Sequence, residues 1–434
     1  MSESLWAGEG ALLGKESLHE CHGCGLRQSV PPLAPGTLAR CLRCGTVLRG
    51  HRRNTIEHAL GLACAALVLL AVTATATMMT VRSAGIVHRA DLLGGPEELA
   101  RRGMYSLSVA VVFTSLLAPL AKLVGTVYAL GLLQLRNPPR HIRRVFLFVR
   151  KLTPWSMSEV LLLGAFVAYV KLQALVTITA GPALISLMAL AFVMFWLDSE
   201  LDAQDVWEAM AQKGLGDAGL PPAPPMGDAA SVRALACHSC GLISTPRART
   251  EPRCPRCGSA LHRRKPNSIA RTWAFVISAT ILYIPANYYP VLTVIQLGSG
   301  SPSTILGGVI ELIDARQWPL AALVFAASIA IPLLKLVGLA TMLLCTQFGA
   351  AGWLRERTQL FAVVEFIGRW SMIDIFMESL LGALVQFGAI VTIDPGMGAI
   401  AFCAVVILTM LAAESFDPRL MWDAAVMPRS AARA

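Results

Sequence analysis

Eight of the eleven cysteines fall into four C-x-x-C pairs. Cys21-x-x-Cys24 is followed after sixteen residues by Cys41-x-x-Cys44, and Cys237-x-x-Cys240 after thirteen by Cys254-x-x-Cys257. Two knuckles at this separation can bring four thiolates around one tetrahedral zinc, so the spacing predicts two structural Zn2+ sites. Gly25, Gly45, Gly241 and Gly258 each follow the second cysteine of a pair, where a knuckle turn favours positive φ. A redox dithiol would sit in a thioredoxin-like βαβ pattern, which does not surround these pairs, and disulfides would need an oxidising compartment. Cys64, Cys345 and Cys403 stand singly in apolar runs and read as small buried hydrophobes.

A second chemistry lies inside the apolar runs. Lys335 sits in IPLLKLVG (Ile331 to Gly338), and Lys122 sits in the related APLAKLVG (Ala118 to Gly125), 213 residues earlier. If about 21 residues of that helix occupy hydrocarbon, Lys335 lies about 12 Å from the nearer edge, and its side chain reaches only about 6 Å. Ser328 lies two turns before Lys335 on the same face, and Pro332 frees a backbone carbonyl between them. The next apolar run carries Ser371, Asp374 and, one turn on, Glu378; Thr409 on the last run lies at a similar depth. An isolated charge in lipid costs several kcal/mol, so these residues predict a Lys335–Asp374 pair completed by Ser328 and Thr409. Such a pair either responds to protons or only fixes helix register. Ser115, Lys122 and Glu159 are the secondary candidates in the first half, while Lys171, near the outer end of its run, reads as a snorkelling lysine. In YIPANYYPVLTV (Tyr283 to Val294), Pro285 and Pro290 bracket Asn287, which predicts a kinked or broken helix; the first half has ATATATMMTV there.

Helices spanning a membrane must position these groups. The 434 residues are 55% hydrophobic and 15% charged, with a mean hydropathy of +0.60, which soluble domains rarely reach. Eight apolar segments stand out, at about 56–80, 105–135, 155–178, 181–201, 269–297, 318–346, 366–393 and 396–414. The fourth and eighth follow tight turns at Ala180-Gly181-Pro182 and Asp394-Pro395-Gly396, so a re-entrant pair is an alternative there. The first apolar run begins behind a polar, cysteine-bearing segment, unlike a signal peptide, which predicts a cytoplasmic N-terminus. Basic loops agree: Arg136 to Lys151, then Arg263, Arg264, Lys265 and Arg271, then Arg355, Arg357 and Arg369 all fall on that side of eight crossings. Arg82, Arg89, Arg101 and Arg102 fall on the other side, partly offset by Asp91, Glu97 and Glu98.

The two halves repeat. Asn54 matches Asn267, Ser115 matches Ser328 and Lys122 matches Lys335 at an offset of 213, and WSMSEV (Trp155 to Val160) matches WSMIDI (Trp370 to Ile375) at 215, as does Trp207 with Trp422. The expected organisation is a first zinc ribbon (1–53), a four-helix module (54–213), a Pro/Gly/Ala linker (214–231), a second ribbon (232–266), a second four-helix module (267–422) and a tail (423–434). The fold class is therefore an all-α polytopic membrane protein with about eight transmembrane helices in two repeated modules, each preceded by a cytoplasmic zinc ribbon. Basic residues flank the ribbons, but their nearness to membrane helices fits an anionic leaflet better than a nucleic acid.

The paired ribbons, PAN..P (Pro285 to Pro290), PLLKLVG (Pro332 to Gly338) and WSMIDIF (Trp370 to Phe376) together resemble the paraquat-inducible protein A family, from Cys21 to about Trp422. The resemblance implies an inner-membrane protein of a Gram-negative bacterium that loads lipid into, or receives it from, a periplasmic MCE-domain tunnel. The first half departs from these motifs, with no PAN..P and with Glu159 in place of Asp. No Walker A or H-E-x-x-H sequence is present, so the expectation is a non-enzymatic transporter subunit, coupled to protons through Lys335 and Asp374 and helped by Ser328, Thr409, Glu378 and Asn287. The alternative is a membrane stress sensor or assembly scaffold that docks partners on its ribbons.

Overall fold

The computed structural model describes residues 17–31, 33–34, 36–50, 55–83, 86–173, 177–215, 234–245, 252–296, 299–384 and 391–426. Most of the expected linker lies outside the described residues. Four short strands, β1 (Ser17–Glu20), β2 (Arg27–Val30), β3 (Leu38–Arg40) and β4 (Val47–Gly50), form two antiparallel hairpins around the first cysteine set.

The first module opens with α1 (Thr55–Thr75), followed by the hairpin β5 (Met79–Ser83) and β6 (Ile86–Ala90) and by the short α2 (Gly94–Arg101). Its second span joins α3 (Tyr105–Val112) to α4 (Ala118–Leu133) through one π turn, Phe113–Leu117. The third joins α5 (Ile142–Leu152) to α6 (Ser158–Gln173) through a 3-10 turn at Thr153–Trp155. Strand β7 (Thr177–Ala180) then leads into α7 (Pro182–Glu200) and the short α8 (Ala203–Gln212).

After the second ribbon, with β8 (Leu235–Ala236) and β9 (Ile243–Ser244), the same order recurs. It runs through α9 (Ser268–Tyr288), β10 (Leu292–Gln296), β11 (Ser299–Ser303) and α10 (Ile305–Asp314). The second span is α11 (Trp318–Phe325), a π turn at Ala326–Ala330 and α12 (Ile331–Gln347). The third is α13 (Leu354–Ile367), a 3-10 turn at Gly368–Met372 and α14 (Ile373–Leu384). Then come β12 (Val391–Pro395), α15 (Met397–Ser415) and α16 (Arg419–Val426), which runs past the expected module boundary at 422.

Seven helices among the described residues are long and apolar enough to cross a membrane: 55–75, 105–133, 142–171, 182–200, 268–288, 318–347 and 397–415. In the position expected for the remaining span, α14 supplies twelve residues before 385–390, which lie outside the described residues. The fourth and eighth segments are unbroken 19-residue helices, about 28 Å long, so each suffices for a full crossing.

The apolar segments differ from expectation at their outer ends. Four of them run on as strands rather than helix, giving one three-stranded antiparallel sheet per module, in the orders β6-β5-β7 and β11-β10-β12. These ends (MTVRS, TITA, LTVIQ, VTIDP) are rich in β-branched residues, which suit a pleated sheet better than a helix. Pro290 also cannot continue α9, which stops at Tyr288 and keeps Pro285 inside it. The two tight turns before the last spans have a steric cause: a Cβ on Gly181 would collide with the Thr77 carbonyl oxygen, and one on Gly396 with that of Pro290.

Both π turns have the same origin. Pro119 and Pro332 lack the N–H that would bond the carbonyl four residues back, so the ladder slips by one residue just ahead of each lysine motif. In the first module, the Met157 N–H approaches the Thr114 carbonyl of this turn at 3.4 Å.

Within a module the first and last spans pack closely. Ala59, Ala63 and Ala66 of α1 meet α7, and Thr73 donates to Ser186, which donates in turn to the Leu69 carbonyl. Outward positions such as Ile185, Met188, Phe192 and Phe195 on α7 stay exposed at helical spacing, as a lipid-facing stripe requires. The modules meet where α14 packs against α6 and α2. Gly164 of α6 allows this approach: a Cβ there would stand 2.9 Å from Phe376 Cβ and 3.2 Å from the Ile373 carbonyl oxygen. Gly164→Val is expected to destabilise the protein by about 1–3 kcal/mol through overpacking. Gly61→Val, where a Cβ meets nothing within 4 Å, is not. Equal melting temperatures for the two variants in detergent would contradict this packing.

Candidate functional site

The four thiols of each ribbon converge. Cys21 and Cys44 sulfurs lie 3.4 Å apart and Cys24 and Cys41 3.5 Å; in the second ribbon Cys237–Cys257 and Cys240–Cys254 are both 3.5 Å. All eight are buried, and each set lies within 4.8 Å. Zn–S bonds of about 2.3 Å give tetrahedral S···S edges of about 3.8 Å, which these spacings approach and which a disulfide would not. The Thr46 hydroxyl, 3.0 Å from Cys44 sulfur, is placed to donate to a thiolate. The knuckle glycines have φ of 74°, 78°, 69° and 79°, as their position in the sequence predicts. The residues thus fit Zn2+ held by Cys21, Cys24, Cys41 and Cys44, and by Cys237, Cys240, Cys254 and Cys257. With four protein ligands each site is closed, so the metal would supply a cross-link.

Each ribbon touches both modules, and Arg49 of the first pairs with Asp205 and Glu208 of α8 at 3.3 and 2.8 Å. The cysteines of the first ribbon share a buried cluster with Trp422 of the second module, and the Arg43 guanidinium lies 4.2 Å over that indole ring. A Cβ on Gly23 would meet Thr358 of α13 at 3.0 Å. The second ribbon also sits on the first module: Arg143 of α5 donates to the Arg256 carbonyl at 2.9 Å, and Gln204 of α8 packs on Gly241. Where both ribbons meet α16, the buried Arg419 donates to Asp417 and, at 3.0 Å, to Glu20 of β1. Its Nη2 lies 2.7 Å from Nε2 of His238. Burial and then the Arg419 charge push the His238 pKa down to about 4, so the ring is neutral and can accept this bond. Burial alone would raise the Asp417 carboxyl, but the hydrogen bonds and charge of Arg419 outweigh it and hold the group below its ordinary value.

Inside the spans the predicted residues sort differently from expectation. Lys335 does not pair with Asp374. Its ammonium is buried, 1% exposed, and its hydrogen bond among the described residues goes to the Gly368 carbonyl at 3.3 Å. Ser328 donates to Val324 and Thr409 to Val406, each within its own helix. Asn287 likewise donates to the Tyr283 carbonyl, four residues back in α9, which closes the helix around Pro285. Ser115 and Ser371 are buried with hydroxyls lacking any partner among the described residues. In the first module the partner of Lys122 is Asp198 of α7, at 2.6 Å, rather than Glu159. Asp198 is the residue that sequence reasoning missed; its signal is the first acid met at the end of the apolar run FVMFWLDSE, two residues before Glu200.

The acids of α14 face another lysine. Asp374, Glu378 and Ser328 line one recess together with Lys171 of α6, Ser303, Thr304 and Phe402. Neither Asp374 oxygen has a hydrogen-bond partner among the described residues, and its polar neighbours are Ser328 and Lys171. Lys171 therefore looks inward across the module boundary instead of snorkelling. The charge-bearing recess belongs to both halves of the chain: the acids come from the second and the base from the first.

Two duplicated modules, each a set of membrane helices with an outer three-stranded sheet and a four-cysteine ribbon, define a polytopic membrane protein with internal charged recesses. The chain belongs to the paraquat-inducible protein A family, whose profile matches it twice, over residues 56–211 and 269–425. It is similar to the "Intermembrane transport protein PqiA" of Escherichia coli strain K12, with 33% identity over 93% of this chain and 95% of that protein. It is also similar to the "Lipophilic envelope-spanning tunnel protein A" of the same strain, with 30% identity over 96% and 93%, and to a "Probable intermembrane transport protein" of Haemophilus influenzae, with 26% over 93% and 95%. No solved structure matches.

The bridging of both modules by each ribbon is testable by metal analysis and hydrogen exchange. The purified chain is expected to carry two zinc ions, and Cys24→Ser or Cys240→Ser one. Because each ribbon touches both α8 and α16, Cys24→Ser and Cys240→Ser should each raise exchange in both 203–212 and 419–426. A rise confined to one of the two helices would contradict this bridging.

Proposed function

We propose that this chain is the inner-membrane subunit of an intermembrane lipid transport system, with its ribbons in the cytoplasm. It loads lipid into, or receives it from, a periplasmic MCE-protein tunnel, and the acids of α14 couple that step to protons. The names of the relatives support intermembrane transport, and the basic loops on the ribbon side support the orientation. The family resemblance supports the tunnel partner. The observation that carries the reading is Asp374, a carboxyl buried between the modules with no hydrogen bond among the described residues, one turn from the equally buried Glu378. Two carboxylates here must be compensated by Lys171, by a bound cation or by protons, and a change among these states alters the forces between α14 and α6. A purely structural ion pair would be closed and hydrogen-bonded, as Lys122–Asp198 is.

The test is transfer of labelled phospholipid from donor vesicles holding the protein and its periplasmic partner to acceptor vesicles, with an imposed pH gradient. Asp374→Asn and Glu378→Gln are each expected to slow transfer on the order of tenfold or more and to remove its dependence on the gradient. Wild-type rates in variants that keep two zinc ions and the wild-type melting temperature would sink the proton assignment. Absence of transfer by the wild-type pair, with a cytoplasmic protein captured on the ribbons, would favour a scaffold.

A further inference from the structure

The two lysine motifs are equivalent in sequence and opposite in environment. Helices α7 (Pro182–Glu200) and α15 (Met397–Ser415) are counterparts, both 19 residues long and both preceded by the constrained glycine. Their register places Ala413 where the first module has Asp198. The second module has thus kept the buried ammonium without the carboxylate that neutralises it. Beside Ala413 lies a recess of about 370 Å3, lined by Lys335, Trp155, Phe366, Met410, Glu365 and Glu414 among others. A pocket of that size suits a small ligand group.

We propose that this recess binds the headgroup of a zwitterionic amine phospholipid, its phosphate on Lys335 and its ammonium on Glu365 and Glu414. Three observations fix the ligand class. The buried cation has one long hydrogen bond and no ion pair among the described residues, so its charge is unmatched at the inner end of the recess, away from the exposed Glu365 and Glu414. The walls around it are apolar (Trp155, Phe366, Met410), which matches a headgroup with acyl chains and not a hydrated free anion. Glu365 and Glu414 are exposed, and Glu414 is the penultimate residue of α15, at its ribbon end, while Lys335 is buried deeper. That order, acids toward the surface and cation inside, follows the order of amine and phosphate along such a lipid. Lys265 donates to the main-chain carbonyls of Glu414 and Phe416, and among the described residues no ion pair engages either carboxylate. A glycerol headgroup would bring no positive charge to them.

The proposal extends the transport reading by naming a headgroup, but binding is scored without any partner or transfer step, so the two can fail separately. The experiment is lipid analysis of the chain purified from mixed phosphatidylethanolamine and phosphatidylglycerol bilayers after a detergent wash. Wild type is expected to retain phosphatidylethanolamine in preference. Ala413→Asp, which restores the internal partner found in the first module, and Lys335→Met should each cut retention about fivefold or more while two zinc ions and the melting temperature are kept. Glu365→Gln with Glu414→Gln should leave a bound lipid but abolish the preference between headgroups. Wild-type retention in well-folded Ala413→Asp and Lys335→Met overturns the site. Equal retention of both lipids by wild type overturns the amine assignment, and displacement by millimolar inorganic phosphate alone overturns the lipid assignment.

Discussion

The charge that a membrane helix cannot leave in hydrocarbon is the constraint on which the rest of this structure depends. The lipid-facing stripes of α7 and α9 carry Ile, Met, Phe and Tyr, and Lys122, Lys335, Asp374 and Glu378 within the spans are buried in protein. Lys122 is neutralised by Asp198 at the ribbon end of the neighbouring span. Asp374 and Glu378 are set at the seam between the modules, where α14 is walled by α6 and α2. The same constraint acts on the backbone. Each proline ahead of a lysine motif frees a carbonyl, and one π turn absorbs the slip without exposing that carbonyl to lipid.

At the ribbon end, where water is near, charges assemble differently. Arg419 gathers Glu20, Asp417 and His238 from three separate parts of the chain, and Arg264 adds Asp423. Burial of such a cluster is tolerable because nearly every donor meets an acceptor. Each ribbon also touches both modules, the first through Trp422 and the Arg49–Glu208 pair and the second through Arg143, Gln204 and the His238–Arg419 contact, so neither module can turn relative to its neighbour without loosening a ribbon. The four-cysteine sets therefore sit where the module arrangement is set.

Much of this was legible in the residues. C-x-x-C spacing has a short-range geometric meaning, so the two sets of four cysteines follow from sequence, as do the duplication and the helical spans. The outer strands were hidden because MTVRS and LTVIQ extend apolar runs, and apolarity alone does not distinguish a helix end from a strand. The pairing of charges was hidden for another reason. Depth along a helix is readable from residue number, but azimuth and neighbour are not. Lys335 and Asp374 were matched by depth, whereas the packing turns Lys335 toward Gly368 and Trp155 and turns Asp374 toward Lys171. Asp198 and Ala413 show that the informative comparison was between the two halves, one position at a time.

That comparison also explains why one chain carries both modules. Helices α6 and α14 are counterparts, and they pack on each other at the seam, so a single module could in principle pair with a copy of itself in this way. A symmetric pair would present the same side chains from both faces. Here Asp374 stands opposite a face whose own counterpart is Glu159, Glu378 corresponds to Leu163, and Lys171 has its counterpart at Gln386, outside the described residues. Fusion releases the two faces from that identity. One face can then concentrate acid while the other supplies base, and the lysine-bearing span of the second module can lose its internal carboxylate while the first keeps it for stability. A recess with acid on one wall and base on the other is available to the joined chain, whereas a symmetric pair would have to carry both on each wall.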